Sequence, residues 1–437
     1  MARSSLFPPS VQPGKPILPP CPPGWSTVTF GDVLDIVVRP IDLDDDVEYQ
    51  LVTARRSRGG VVARSRLFGR DVLTKTQFRI EGDDFLISNR QIIHGGCGIV
   101  PQSLSGSVVS NEYSVLRPKP QLSLAYLAYL SHSIYFQQTC FHASVGVDVE
   151  KMIFDCERWL EFRVHLPPLP EQLLIANILT NCSKTIAATQ AVIEQTERLR
   201  SKVLIELFQG KNSAGPKVAV PNWKTGNLGV HEIPANWRLV HLVEVAKLES
   251  GHTPSKGVEE YWGGDINWLS LHDTRNLRKR VIFETTQKTT ESGIRNSSAR
   301  ILPAGTVCFS RTASVGHCVI TGREMATSQD FANYVCGNDL SNRYLMYLFR
   351  NMGHIWSKLA AGSTHQTIYM PTFEQLQIAL PPISEQLRIV KIADSFYDEI
   401  EALERDLVSK TTLLSTLTFD LVTGRERDDE APPLAAE

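Results

Sequence analysis

Leu166-Pro-Pro-Leu-Pro-Glu-Gln-Leu-Leu-Ile-Ala-Asn-Ile178 and Leu380-Pro-Pro-Ile-Ser-Glu-Gln-Leu-Arg-Ile-Val-Lys-Ile392 are one motif written twice. The two copies stay in register at a single offset, 385 minus 171 or 214 residues, through to Gly210-Lys211 and Gly424-Arg425. A gap-free repeat of this length sets the architecture before any chemistry is considered. In the second copy Ile389, Ala393, Phe396, Ile400, Leu403, Leu407, Lys410, Leu414, Leu417 and Leu421 follow the alternating four-three spacing of a coiled-coil seam. The first copy keeps that register with a more polar seam, placing Thr189, Thr196 and Arg200 where the second has Leu403, Lys410 and Leu414.

Each copy carries the punctuation of a helix. Pro168 and Pro382 stand just before the start, where proline is tolerated. Glu171 and Glu385 fall in the first turn, facing the positive end of the helix dipole. Gly210 and Gly424 stand at the far ends, where a left-handed residue closes a helix. At the standard rise such a rod is about 58 Å long. Rods of this kind are marginal alone and need a partner along the seam. The second rod folding back on the first gives an antiparallel pair with a globular unit at either end; pairing within a homodimer or with another protein is the alternative.

The chain therefore divides into a proline-rich leader (1–24), a first globular unit (25–165), a first rod (166–211), a second unit (212–379), a second rod (380–425) and an acidic tail (426–437). The repeat runs on faintly into the units. Trp25 aligns with Trp237, Ser110-Asn-Glu112-Tyr113 with Ser328-Gln-Asp330-Phe331, and Tyr126-Leu-Ala-Tyr129 with Tyr344-Leu-Met-Tyr347. β-Branched runs predict strands over Ser26 to Val38, Asp84 to Ser88, Thr306 to Ser310 and Cys318 to Thr321. Apolar residues three and four apart predict closing helices over Ser123 to Gln138 and Leu340 to Leu359. The fold class is α+β: two mixed units separated by two long antiparallel helices, with a pseudo-two-fold internal repeat.

Composition removes several function classes. No apolar run reaches the roughly 18 residues that span a bilayer, and the leader lacks a signal peptide's apolar centre. A cytoplasmic protein without a membrane partner is expected. The eight cysteines are scattered without metal-ligand spacing, so buried free thiols are expected and no metal site is. There is no phosphate-binding Gly-rich loop, nucleophile elbow or His-Glu-x-x-His helix, which favours a recognition or scaffold component over an enzyme. With 45 Lys+Arg against 47 Asp+Glu the chain is slightly acidic, so any DNA contact must come from local clusters or from partner subunits.

The doubled Leu-Pro-Pro-x-x-Glu-Gln-x-x-Ile entry before long helices resembles the specificity subunit of type I restriction-modification enzymes. Gly251-His-Thr-Pro-Ser, Tyr261-Trp-Gly-Gly-Asp-Ile-Asn-Trp268, Ser310-Arg-Thr-Ala-Ser-Val-Gly316, Ala326-Thr-Ser-Gln-Asp-Phe331 and Gly362-Ser-Thr-His-Gln-Thr-Ile368 look like a target-recognition domain of that family. The first unit fits mainly by position. The resemblance implies a non-catalytic subunit whose units each read one half of a split double-stranded DNA target, with half-sites about one helical turn apart. It implies two methyltransferase (M) subunits docked on the rods and endonuclease/translocase (R) subunits joining for cleavage. S-adenosylmethionine, ATP and Mg2+ then belong to those partners, and this chain binds no cofactor.

Candidate DNA contacts are Arg55, Arg56, Arg58, Arg64, Arg66, Arg70 and Arg90 in the first unit and Arg275, Arg278, Lys279 and Arg280 in the second. Such clusters bind phosphate or form a solvated face. Arg311, Thr312 and the loop Ser363, Thr364, His365 and Gln366 carry side chains able to reach base edges, although the same residues also suit fold maintenance. Trp25, Trp237, Trp262 and Trp268 read as core. Glu171, Gln172, Glu385 and Gln386 read as helix-start devices and subunit-docking residues. A coiled-coil adaptor that does not read DNA, and an enzyme with an unrecognised site, are the competing readings.

Overall fold

The structure is a computed structural model and describes residues 16–360 and 367–424; the leader up to residue 15, the loop carrying Ser363 to Gln366 and the acidic tail lie outside them. The chain forms two compact units, residues 1–189 with 406–437 and residues 190–405. The two long helices, Leu169–Phe208 and Ile383–Thr423, are 40 and 41 residues long and each contributes to both units.

In the first unit, Ile175, Ala176 and Leu179 of the first long helix share a core with Val422, and Leu414, Leu417 and Leu421 of the second pack against it. In the second unit, Leu204, Leu207 and Phe208 share a core with Ile389, Val390 and Ala393. The start of each helix therefore meets the end of the other, which is antiparallel pairing. Every seam position named above is buried or half-buried. Lys410 enters the polar part of the seam by donating to Thr189 Oγ1 over 3.0 Å while pairing with Asp406 at 2.6 Å.

Each unit is closed by pairing an early strand with its last one. Ser26–Thr29 pairs antiparallel with Arg163–Leu166, and Arg238–His241 pairs with Gln377–Leu380, both immediately before a long helix. The central sheet of the first unit orders Leu34–Ile36, Tyr113–Pro118, Phe85–Ser88 and Cys97–Ile99. The second repeats that order with Ala246–Ser250, Phe331–Cys336, Val307–Ser310 and Cys318–Thr321, and adds Val281–Ile282. Behind the first sheet Phe30 stacks on Trp159 at 4.1 Å and Phe136 meets Trp159 edge-on at 5.2 Å. Behind the second, Phe309 packs on Trp356 at 4.7 Å and on Phe373 at 5.3 Å. Each fully buried ring contributes on the order of 1.5–3 kcal/mol of apolar burial.

Three expectations are corrected. Ser26 to Val38 is not one strand: Thr29 and Asp32 form a capping box that starts a helical turn, Phe30–Val33, between two short strands. Ser123 to Gln138 is two helices, Leu124–Leu130 and Ile134–His142, because Ser133 caps a fresh start by accepting the backbone N–H of Phe136. Leu340 to Leu359 likewise divides into Asn342–Asn351 and Gly353–Ala360. Trp237 and Trp268 lie in the cores as expected, while Trp25 and Trp262 are half-buried. Of the cysteines, Cys97, Cys140, Cys308 and Cys318 are buried, Cys156, Cys182 and Cys336 half-buried and Cys21 exposed, and all are free thiols.

Candidate nucleic-acid interface

The Glu-Gln pair at the foot of each long helix is built into the fold. Gln172 is 1% exposed: its amide oxygen accepts Ser123 N–H at 2.9 Å and its amide nitrogen donates to Gln121 O and Pro167 O. Gln386, 0% exposed, does the same with Ser341 N–H, Asp339 O and Pro381 O. Glu171 accepts the indole N–H of Trp25 at 3.2 Å, and Glu385 that of Trp237 at 2.9 Å. The expectation that these four residues dock a partner is corrected for Gln172 and Gln386, which a partner cannot reach. Glycine is required at the opposite helix ends: Gly210 has a φ of +64° with Pro234 and Trp237 where a side chain would go, and Gly424 has +61° with Pro22 and Trp25 there. Each tryptophan thus meets the start of one long helix and the end of the other.

The cationic candidates of the first unit separate into three groups. Arg55 to Arg58 occupy the tip of the long hairpin Glu48–Ala54/Val61–Phe68, with Ser57 and Arg58 in the left-handed region. Arg56 donates to Gln91 at 2.7 Å and pairs with Glu150 at 3.4 Å. Arg58 turns inward, donating to Ser131 O at 3.1 Å beside Cys97 and Cys140, and burial lowers its pKa. It is a framework residue, which corrects its place among the DNA contacts. Arg66 donates to Gln50, and Arg70 pairs with Asp46 over the Phe68 ring. Arg55 and Arg64 are exposed and have no ion pair among the described residues. Arg64 borders a cleft of about 290 Å³ that also holds Gln77 and Tyr113.

Arg90, Arg311 and Thr312 sit at equivalent corners of the two central sheets. After the strand Phe85–Ser88, Asn89 N–H donates to Glu112 O, Asn89 O accepts Phe154 N–H, and Arg90 pairs with Glu112 at 2.5 Å. After Val307–Ser310, Arg311 N–H donates to Asp330 O, Arg311 O accepts Ile368 N–H, and Thr312 Oγ1 donates to Asp330 Oδ1 at 2.7 Å. One backbone frame therefore presents Arg90 over Glu112 in one unit and Thr312 over Asp330 in the other. Arg311 spends two donors on Gln329 O (2.9 Å) and Ile368 O (3.2 Å), so it braces this corner.

Ser363, Thr364, His365 and Gln366 lie outside the described residues. The first unit also carries a hairpin, Ser144–Val145/Ile153–Phe154, that projects Val145, Val147 and Ile153 into solvent. Sequence reasoning missed this hairpin. Its strands are only two residues long, too short for an alternating pattern to mark them.

Arg280 is a further correction. It pairs with Asp398 at 2.6 Å, Glu401 at 3.0 Å and Asp394 at 3.8 Å, all on the second long helix, and is not available to DNA. Arg275, Arg278 and Lys279 remain exposed without an ion pair among the described residues. A cleft of about 690 Å³ opens beside Gly251 and His252, where Glu249 pairs with both Lys247 and Arg300. Among the described residues no group of His, Cys, Asp or Glu is placed to hold a metal ion, and no helix is long and apolar enough to cross a membrane.

Two antiparallel helices carrying two divergent copies of one sheet-and-corner unit make an internally duplicated architecture. The family model for the type I restriction modification DNA specificity domain matches residues 22–198 and again 234–409. The chain belongs to this family and carries its domain twice, which places it with the specificity components of such systems and not with the catalytic ones. It is 30% identical over 174 residues to the type I restriction enzyme MjaIX specificity subunit of Methanocaldococcus jannaschii, a match covering 39% of this chain and 40% of that one. The chain spans 33 to 42% of the length of the first curated relatives it matches. A longer alignment, 23% identical, joins 89% of it to 90% of the MjaVIII specificity subunit of the same organism. The fold is that of the HsdS subunit from Thermoanaerobacter tengcongensis, with a TM-score of 0.52, 19% identity, and 93% of this chain and 98% of that chain covered.

Proposed function

We propose that this chain is the DNA sequence-recognition subunit of a type I restriction-modification complex and reads a split double-stranded target, one half with each unit. The observation that carries this is the duplicated sheet corner, in which one frame presents Arg90 with Glu112 in the first unit and Thr312 with Asp330 in the second. A conserved frame with altered presenting residues is what two readers of different half-sites require. Between them the long helices keep equal register without insertion, which suits a fixed number of base pairs between the half-sites.

Two methyltransferase subunits are the proposed partners on the helices, with endonuclease/translocase subunits joining for cleavage. Exposed apolar side chains recur at matching positions of the two helices: Leu169 with Ile383, Leu173 with Leu387, Leu199 with Leu413 and Ile205 with Phe419. A surface repeated in this way suits two copies of one partner. S-adenosylmethionine, ATP and Mg2+ would be held by those partners, which would also add phosphate contacts to the few that a slightly acidic chain can make.

Mapping adenine methylation in a methylation-free host that expresses the methyltransferase subunit with and without this chain tests the reading. A split motif with one methylated adenine on each strand, present only with the chain, is expected. Methylation independent of the chain, or at an unsplit motif, would refute it and favour an adaptor.

A further inference from the structure

The segment Arg275–Arg280 carries four cations in six residues, and the structure divides them by role. Arg280 is consumed by Asp394, Asp398 and Glu401, while Arg343 pairs with Asp394 at 2.7 Å. Asp273, the nearest acid in sequence, is buried and spends its carboxylate on Ser270 N–H and on the N–H and hydroxyl of Thr286. Arg275, Arg278 and Lys279 are left as three exposed positive charges within five residues, with no ion pair among the described residues.

Their backbone is held by one side chain. Arg350, on the helix Asn342–Asn351, points one guanidinium nitrogen at three successive carbonyls: Leu277 O at 3.3 Å, Arg278 O at 3.2 Å and Lys279 O at 2.7 Å. Its nitrogens also donate to Cys318 O at 2.8 and 3.2 Å, and its guanidinium carbon lies 5.4 Å from the centre of the Tyr397 ring. Arg200 approaches the same ring at 4.7 Å. That one nitrogen shares its two N–H groups among the carbonyls while Nε holds Cys318 O, a pair of donors at fixed separation that a lysine, with a single nitrogen, does not offer. With the carbonyls turned inward, their negative ends are withdrawn from the surface that the three cations occupy.

We propose that Arg275, Arg278 and Lys279 form a phosphate-backbone clamp for the DNA read by the second unit, and that Arg350 is its positioning residue. The proposal rests on the DNA-recognition reading above and assigns part of that contact to named side chains. Fixing the turn before DNA arrives removes much of the ordering cost of the contact, which a free loop with the same charges would have to meet. Because the clamp touches phosphates, it adds affinity without sequence preference.

The test is binding of a mixed-sequence DNA duplex by the chain assembled with its methyltransferase subunits, measured by fluorescence anisotropy across a series of potassium chloride concentrations. Each phosphate contact contributes about 0.9 to the slope of log affinity against log salt, so R275A/R278A/K279A should lower the slope by about 2.7. Arg350→Met should lower the slope by a smaller amount, and the three substitutions should take less away on the Arg350→Met background than on the wild type. If Arg350→Met does not assemble, Arg350→Lys, which keeps the charge and loses the fork, is expected to give the same partial loss of slope. An unchanged slope for the triple variant would overturn the clamp while leaving DNA recognition standing. An Arg350 variant that weakens binding with the slope intact would reduce Arg350 to a folding residue. A wild-type complex that binds no DNA at any salt would remove both the clamp and the reading beneath it.

Discussion

The side chain of Gln386 accepts the backbone N–H of Ser341 over 2.9 Å, which ties the foot of the second long helix to the start of the helix Asn342–Asn351. Gln172 and Ser123 repeat the bond at the same distance in the first unit. Gln386→Leu would leave Ser341 N–H, Asp339 O and Pro381 O without partners, and each unpaired buried group costs about 1–3 kcal/mol. A destabilisation of about 3 kcal/mol, read as an earlier thermal or urea transition of the second unit, is expected, and Gln172→Leu should act likewise on the first. Below its melting temperature neither variant should lose affinity for the methyltransferase subunits, because neither amide reaches the surface.

Two equivalent tyrosines differ in one bond. Tyr344 Oη donates to Ala379 O at 3.3 Å, whereas the hydroxyl of Tyr126, equally buried, has no partner among the described residues. Tyr344→Phe should cost about 1 kcal/mol, and Tyr126→Phe should be neutral or stabilising. Calorimetry of the two single variants checks the contrast.

How much of this was legible in the sequence differs by level. The long helices were legible to within a few residues, because proline, glutamate and glycine mark their ends and one seam spacing runs their whole length. The Thr29–Asp32 capping box was also legible and was passed over for β-branched content. The roles of individual arginines were not. Arg280 meets Asp398 and Glu401 more than a hundred residues away, and Arg58 turns inward from a hairpin tip that, as a string of letters, reads as exposed. Charge density along a chain does not say which charges a fold has already neutralised.

The seam carries its own test. Lys410 is half-buried where an apolar residue would pack, and its contacts to Thr189 and Asp406 recover little of the burial forgone. Lys410→Leu is expected to stabilise the first unit by about 1 kcal/mol. It should also relax the register that one polar seam residue specifies. Urea unfolding reports the first effect, and cross-linking of paired cysteines along the seam reports the second.

Burial pushes the Cys97 thiol up to about 11, with Ser131 and Arg58 opposing, and the Cys156 thiol also up to about 11. Because the folded-state values are raised, this contribution to stability is complete below about pH 9, the ordinary thiol range, and is lost as pH rises toward 11. Thermal stability should therefore fall between pH 9 and 11, and Cys97→Ala should flatten that fall. Exposed Cys21 should react with a thiol reagent in the folded protein at pH 8, while Cys97, Cys140, Cys308 and Cys318 should react only after unfolding.

The central claim, that two units on one scaffold each read half of a target, is tested most directly by exchange. Residues 25–165 are replaced by the corresponding unit of a relative with a different target, and adenine methylation is mapped in cells that express the chimera with its methyltransferase subunits. A motif changed in one half only, with the other half and the spacing retained, is the expected result. Change in both halves, or in neither, would contradict the account.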